Sequence, residues 1–295
     1  MPELPEVETT MRALARALTG KRITKVKLAR GDLRFPFPKG FARRIEGHRV
    51  THFARRAKYI LATLESGDVL ILHLGMSGRF TIIEADGHVH SPGEFYEEVA
   101  TADDGQGAHD HVIFTAEDGL RVIYTDPRRF GLMDLATGDE APAHRLLAGI
   151  GVEPLGNGFD AAYLAEAFRG KKAPLKAALL DQRIIAGLGN IYVCEALYRA
   201  RLSPKRIAGT LVKKKGHDPR LDDLVRHIRD VLNEAILAGG STLRDFAQPD
   251  GEAGAYQQRF DVYDREGKPC RNCGRPVKRI VQSGRSTFYC AHCQK

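Results

Sequence analysis

Two groups of residues have types and spacings that can do chemistry: the opening run Met1-Pro2-Glu3-Leu4-Pro5-Glu6, and four cysteines near the end. Cytosolic processing is expected to remove Met1 before so small a residue as Pro2, leaving a secondary amine at the N-terminus. An α-amino group titrates near ~7.7–8.0, against ~10.4 for lysine, so a usable neutral fraction exists at pH 7 without a special pocket. Glu3 is placed to give or take a proton at whatever the amine attacks, and Glu6 adds a second carboxylate in the same turn. The run also reads as a plain helix start, with proline in the first turn and acids facing the helix dipole. Leu4, Val7, Met11, Leu14 and Leu18 recur at spacings of three and four, so an amphipathic helix anchors the terminus on either reading.

Cys270, Cys273, Cys290 and Cys293 give C-x2-C-x16-C-x2-C, a spacing that brings two thiolate pairs to one tetrahedral ion. Four thiolates leave no open coordination position, so the expectation is one structural zinc rather than a catalytic one. A module of about forty residues builds too small a core alone, and the metal supplies much of its folding energy. Between the pairs, VKRIVQSGRSTFY reads as a hairpin with Gly284 and Arg285 at its turn, where an arginine suits a phosphate or a groove. The plain alternative for Arg285 is a solvated surface side chain. Cys194, in the apolar helical run IYVCEALY, reads as a buried free thiol.

The elements that must position these groups fall into blocks. After the first helix come short β-branched stretches, RITKVKLAR, YILATLES, DVLILHLG, RFTIIE, HVIFTAE and LRVIYTD, separated by turn residues. They imply a mostly antiparallel β domain over residues 1–135, a sandwich or barrel. Residues 136–159 shift to Gly, Pro, Ala and Asp and read as a linker. Residues 160–259 are helical, with AAYLAEAFRG, LKAALLDQ, GNIYVCEALYRA and LDDLVRHIRDVLNEAILAGG, and end in a polar loop. Residues 260–295 carry the cysteines.

The 295 residues are 43% hydrophobic, enough for ordinary cores, and the formal charge of +8 favours a polyanionic partner. Residues 267–295 hold seven basic side chains and no acid. No apolar run approaches membrane-spanning length, and acids stand where a signal peptide has basic and apolar residues, so a soluble intracellular protein is expected. A cytoplasmic location and a monomeric state are further expectations.

Further candidates lie in turns. FARRAKYILATL places Lys58 at the start of a strand. HLGMSGRF puts His73, Met76 and Arg79 in a Gly-flanked turn, and DPRRFGLM puts Arg128, Arg129 and Phe130 in another. An enzyme that extrudes a nucleotide needs apolar wedges to fill the hole and an arginine to satisfy the abandoned base, and these two turns supply both. GLGNIYVCEAL puts Asn190 at a helix N-cap, a position that serves capping and phosphate binding alike, with Lys176 nearby.

Together PELPEVE, ARRAKYI, HLGMSG, DPRRFG, LLDQ with GLGNIY, DVYDREGKPC and the cysteine ribbon with GRSTFYC resemble the formamidopyrimidine-DNA glycosylase (Fpg, MutM) family of bacterial DNA repair enzymes, over essentially the whole chain. The resemblance implies an α+β multidomain fold: an N-terminal helix with an antiparallel β-sandwich, a helix-two-turn-helix domain and a C-terminal four-cysteine zinc-ribbon hairpin. It implies a bifunctional glycosylase/AP lyase of base excision repair that excises oxidised purines from damaged double-stranded DNA. In such enzymes the terminal proline attacks C1′, and an iminium carries β- and δ-elimination. By that resemblance Pro2 is the nucleophile, Glu3 the general acid and Glu6 a supporting acid. Lys58 assists at the lesion phosphates, and His73, Lys176, Asn190 and Arg285 clamp the backbone, Arg285 counting also among the catalytic groups. Met76, Arg128 and Phe130 fill the gap, Arg128 facing the orphaned cytosine.

The runner-up is an endonuclease VIII-like glycosylase acting on oxidised pyrimidines, and a different class is a non-catalytic binder of damaged DNA. Glu252, in the loop after Phe246, argues against a charge-based lesion contact of the kind a lysine there makes in some relatives. The segment 86–110 reads as an insertion without a role.

Overall fold

The computed structural model describes residues 2–90, 107–241 and 255–295, so Glu252 and most of the segments 86–110 and 247–257 lie outside the described residues. The chain forms two compact units: residues 1–148 with 236–257, and residues 149–235 with 258–295.

The first unit is a two-sheet sandwich. Helix α1 (Leu4–Leu18) precedes β1 (Ile23–Leu28), a short α2 (Phe41–Ile45), β2 (Val50–Arg56), β3 (Tyr59–Leu64), β4 (Asp68–His73), β5 (Arg79–Ile83), β6 (Val89–His90), β7 (Asp110–Ala116), β8 (Arg121–Thr125) and β9 (Leu132–Thr137). One antiparallel sheet has the order β1-β7-β8-β5-β6 and the other β2-β3-β4-β9. Both sheets feed one core, in which Val26, Phe80, Phe114 and Val122 share a cluster with Phe53, Leu64, Leu72 and Met133. Val7, Leu14 and Leu18 of α1 join that cluster, and the burial of each contributes roughly 2 kcal/mol to holding the N-terminus in place.

The six expected strands all form, and β2, β9 and the two-residue β6 join them. The alternation of β2 is broken by a bulge between Val50 and His52, which hides the period-two signal. Strand β9 begins inside DPRRFGLM and runs to Thr137, into the stretch expected to be linker.

Lys58, Arg79 and Arg285 are placed differently from expectation. Lys58 is not in a strand: Arg56 pairs with Tyr59, so Ala57 and Lys58 form a two-residue turn, with Ala57 at φ +52°. Arg79 opens β5 and is buried rather than lying in the turn. In the second unit, Gln282 pairs with Arg285, so the hairpin turn is Ser283-Gly284 and Arg285 is the first residue of its strand. Both turn residues have positive φ, 50° and 72°, the geometry that matches the twist of a two-residue hairpin.

The second unit holds α3 (Ala161–Phe168), α4 (Leu175–Leu179), α5 (Asn190–Arg199) and the first sixteen residues of α6 (Arg220–Leu237), followed by the hairpin of β10 (Lys278–Gln282) and β11 (Arg285–Tyr289). Asp160 caps α3 by accepting from the Tyr163 N–H at 2.7 Å. Glu195 of α5 is fully buried and accepts from the N–H groups of Asp261, Val262 and Tyr263, at 2.8, 3.1 and 2.8 Å. One carboxylate thus fixes the segment that leads into the cysteine module. Burial pushes its pKa up, and the three backbone bonds oppose that rise.

Candidate active site and nucleic-acid interface

The N-terminal group is immobilised by its own helix. Pro2 is buried, as are Glu3 and Glu6 at 3% and 2% exposure. The Glu6 carboxylate accepts from the Glu3 N–H at 2.9 Å through Oε2, and from Ser241 N–H and Oγ at 2.8 and 2.9 Å through Oε1. Glu6 therefore ties the first turn of α1 to residue 241. Gly240 lies close above it, at φ +84°, where a side chain would crowd the carboxylate.

A second tie runs from α1 to the turn that carries Lys58. Arg55 Nε donates to Glu8 Oε2 at 2.8 Å, and another Arg55 nitrogen donates to the Ala57 carbonyl at 2.9 Å. Lys58 is 8% exposed. Its charge is felt at His73, whose pKa falls to about 4, first by burial and then by Lys58 and Arg34. His73 stacks on Tyr59, ring centroids 4.8 Å apart, and its Nδ1 accepts from the Gly75 N–H at 3.0 Å. The ring is therefore neutral at pH 7 with its proton on Nε2, a donor without a charge.

His73 lines a cleft of about 550 Å³ with Met76, Arg128, Arg129, Phe130 and Arg34. The structure thus brings together His73, Met76, Arg128 and Phe130, which the sequence places in separate turns. Phe130 is 42% exposed, and the Arg128 guanidinium lies 4.9 Å from its ring centroid. Such stacking holds the cation in a fixed pose for about 0.5–1 kcal/mol at an exposed site.

What aims these side chains is a buried network. Asp126, fully buried, accepts from Ser77 Oγ at 2.6 Å, Tyr124 Oη at 3.2 Å and the Gly131 N–H at 2.8 Å. Ser77 Oγ in turn accepts from the Arg128 N–H at 3.3 Å. The two turns are thereby locked to each other. They also touch so closely that a Cβ at Gly75 would fall on the Phe130 main chain. Sequence pattern alone does not single out Ser77, Tyr124 or Asp126, although Asp126 and Ser77 stand inside the DPRRFG and HLGMSG stretches that it does.

In the second unit Lys176 and Asn190 converge on β11. Lys176 is 1% exposed, and its ammonium donates to the Ser286 carbonyl at 2.9 Å and to Thr287 Oγ1 at 2.7 Å. Asn190 Nδ2 donates to the same carbonyl at 3.0 Å, and its buried Oδ1 accepts no hydrogen bond among the described residues. Asn190 is not the N-cap: Gly189 occupies that position, and Asn190 is the first helical residue. The Asn190 amide thus holds the residue next to Arg285, which is exposed.

The four cysteine sulfurs lie within 4.8 Å of one another, with Cys270 to Cys293 at 3.9 Å and Cys273 to Cys290 at 3.5 Å. Sulfurs at ~2.3 Å around a tetrahedral zinc stand about 3.8 Å apart, so the set fits one ion. Tyr198 Oη lies 3.3 Å from Cys270 Sγ. Burial opposes ionisation of that thiol, but the tyrosine and the backbone N–H groups of Cys273 and Asn272 bring its pKa down to about 6. Cys194 is buried in the same apolar cluster as Cys270 and Cys290, as expected for a free thiol.

The chain belongs to the formamidopyrimidine-DNA glycosylase family: that family's N-terminal domain matches residues 1–133, its H2TH domain residues 150–247, and the zinc finger found in FPG and IleRS residues 267–295. A formamidopyrimidine-DNA glycosylase of Methylobacterium sp. (strain 4-46) is 59% identical over 100% of this chain and 99% of its own, and one of Rhizobium meliloti (strain 1021) is 55% identical over 100% of both. Among solved structures, the MutM (FPG) protein from Thermus thermophilus is 39% identical with a TM-score of 0.82, covering 99% of this chain and 98% of its own. A Lactococcus lactis FPG mutant in complex with a Fapy-dG containing DNA is 30% identical with a TM-score of 0.85, covering 100% of both.

Proposed function

We propose that this DNA glycosylase is bifunctional, excising oxidised purines (8-oxoguanine and formamidopyrimidines) from duplex DNA and then cleaving the strand as an AP lyase. Met1 is removed and the Pro2 nitrogen attacks C1′ of the damaged nucleotide, forming the N–C1′ bond as the bond to the base breaks. Glu3 supplies a proton in that step. The C1′–O4′ bond then opens, O4′ taking up a proton as the Pro2 nitrogen sheds its own, and leaves an iminium that is permanently cationic, an electron sink that a hydroxyl nucleophile does not provide. Loss of a C2′ proton expels the 3′ phosphate, a second elimination expels the 5′ phosphate, and water releases Pro2.

The observation that carries this reading is the burial of Pro2 at the head of a helix pinned through Glu6 and Glu8. An anchored terminus has no evident purpose in a protein that only binds DNA, whereas a terminal nucleophile requires one. Lys58, beside the same helix, assists at the lesion phosphates. His73 donates a neutral N–H to a phosphate, and Asn190, Lys176 and Arg285 fix the backbone farther along, with Arg285 also acting in catalysis. Met76 and Phe130 fill the space left by the extruded nucleotide, and Arg128 faces the unpaired cytosine. One structural zinc sits on the four cysteines. The protein acts as a monomer in the cytoplasm, and its chain divides into the sandwich (1–135), a linker (136–159), the H2TH domain (160–259) and the zinc finger (260–295).

The test is borohydride trapping on a duplex with 8-oxoguanine opposite cytosine, followed by mass mapping of the cross-linked peptide. A cross-link at Pro2 supports the nucleophile and its processing together. Tight binding without any cross-link sinks the lyase assignment.

A further inference from the structure

Five lysines of the second unit take no part in the site above. Lys171 and Lys172 follow α3, and Lys213, Lys214 and Lys215 form the tip of a loop before α6. The two segments are neighbours through main-chain bonds of 3.0 Å, from Gly209 N–H to the Lys171 carbonyl and from Ala208 N–H to the Ala173 carbonyl. The loop is a closed turn rather than a loose end. An antiparallel bridge joins Val212 to His217, the Asp218 N–H donates to the Leu211 carbonyl at 3.0 Å, and Gly216 turns the chain at φ +72°.

Lys172 and all three loop lysines are exposed, and the acids that flank these segments are engaged elsewhere. Asp218 pairs with Arg220 at 2.8 Å, Asp222 with His217 at 2.9 Å, and Asp181 with Arg183 at 2.8 Å. The Arg183 hydrogen bond, aided more weakly by Lys171, holds the Asp181 carboxyl below its usual range. Lys171 is thus within electrostatic reach of the turn that leads from α4 to Asn190.

We propose that Lys171, Lys172, Lys213, Lys214 and Lys215 form a track for the phosphate backbone of duplex DNA flanking the lesion. This rests on the DNA-processing reading above and extends it to undamaged duplex beyond the lesion. The chemistry favours a phosphate backbone over a protein partner. The five positions include no aromatic or arginine anchor of the kind that supplies binding energy at protein interfaces. Lysines are flexible point charges that neutralise phosphates without reading bases, and such contacts hold a protein on DNA of any sequence. A glycosylase that must find rare lesions gains from that hold.

The test uses the zinc-loaded full chain and the triple variant Lys213→Ala, Lys214→Ala, Lys215→Ala on two lesion duplexes, one of about 13 and one of about 40 base pairs, titrated from low to high salt. Each lost phosphate contact lowers the slope of log K against log salt by ~0.9, so the variant, which loses three, is expected to lose about 2.7 from the slope and at least about tenfold in affinity on the long duplex. Binding and single-turnover cleavage of the short duplex stay at wild-type levels. An unchanged slope and affinity on the long duplex, with the short one still cleaved, overturns the track. If the wild-type protein does not cleave the short duplex, the functional reading falls, and the track falls with it.

Discussion

His73 sits where a phosphate ligand is expected, yet its ring is held uncharged by burial and by the neighbouring Lys58 and Arg34. Its folded pKa of about 4 lies below the ordinary 6.5, so the unfolded chain binds more protons between these values. The stability this confers is complete above about pH 6.5 and is lost as the pH falls toward 4. Urea midpoints measured across that window should fall with pH, and His73→Asn should flatten the trend. Glu6 makes the opposite case, a carboxylate valuable for what it accepts. Glu6→Ala strands the Ser241 and Glu3 donors, and at about 1–3 kcal/mol for each buried unsatisfied group it should destabilise the protein by ~3 kcal/mol in urea unfolding. It should also slow trapping at Pro2, because the helix head loses its anchor. If Glu6 served only as a supporting acid, trapping would fall while stability held.

At the scale of elements, strand β11 is the piece on which the second unit's site depends. Two side chains from different helices grip one carbonyl, that of Ser286, and the exposed Arg285 is its neighbour. Lys176→Met should therefore lower both thermal stability and affinity for lesion duplex, the latter by about tenfold or more for a buried charge-assisted pair. Arg285→Ala should weaken binding while leaving Tm unchanged, and equal Tm losses in the two variants would contradict this division of roles. Much of the site is legible in local strings, because PELPEVE, HLGMSG, DPRRFG and the cysteine spacing each carry their chemistry within a few residues. What is not legible is long-range. Nothing near Lys176 announces that its partners stand at Ser286 and Thr287, and a lysine in LKAALL reads as surface until the hairpin is folded against it. Strand β2 is hidden by a bulge that erases its period, and the Lys58 turn by a positive φ at an alanine. Asp126 belongs to a visible motif, but its grip on Ser77, Tyr124 and Gly131 depends on two sheets being in register.

For the whole molecule, the metal site and the helical unit share one core. Cys270 and Cys290 are buried in the same cluster as Cys194 and Tyr198 of α5, with Val262, Val277 and Phe288. A hairpin of two five-residue strands has little apolar surface of its own, so with the proposed zinc on its cysteines its fold is expected to depend on that ion as well as on this shared packing. Removing zinc should therefore do more than loosen a finger. The hairpin opens, the Lys176 ammonium loses Ser286 and Thr287, and a buried cation deprived of these two acceptors destabilises α4 in turn. The sandwich draws its stability from a separate apolar cluster, which holds none of the four cysteines. Calorimetry of the chelator-treated protein should thus show a lowered and broadened transition for the second unit beside a little-changed one for the first, with lesion-duplex binding abolished. Binding should return when zinc is restored under reducing conditions. A single unchanged transition after verified metal loss would mean that apolar packing alone holds the hairpin, and that the cysteines are dispensable to the fold.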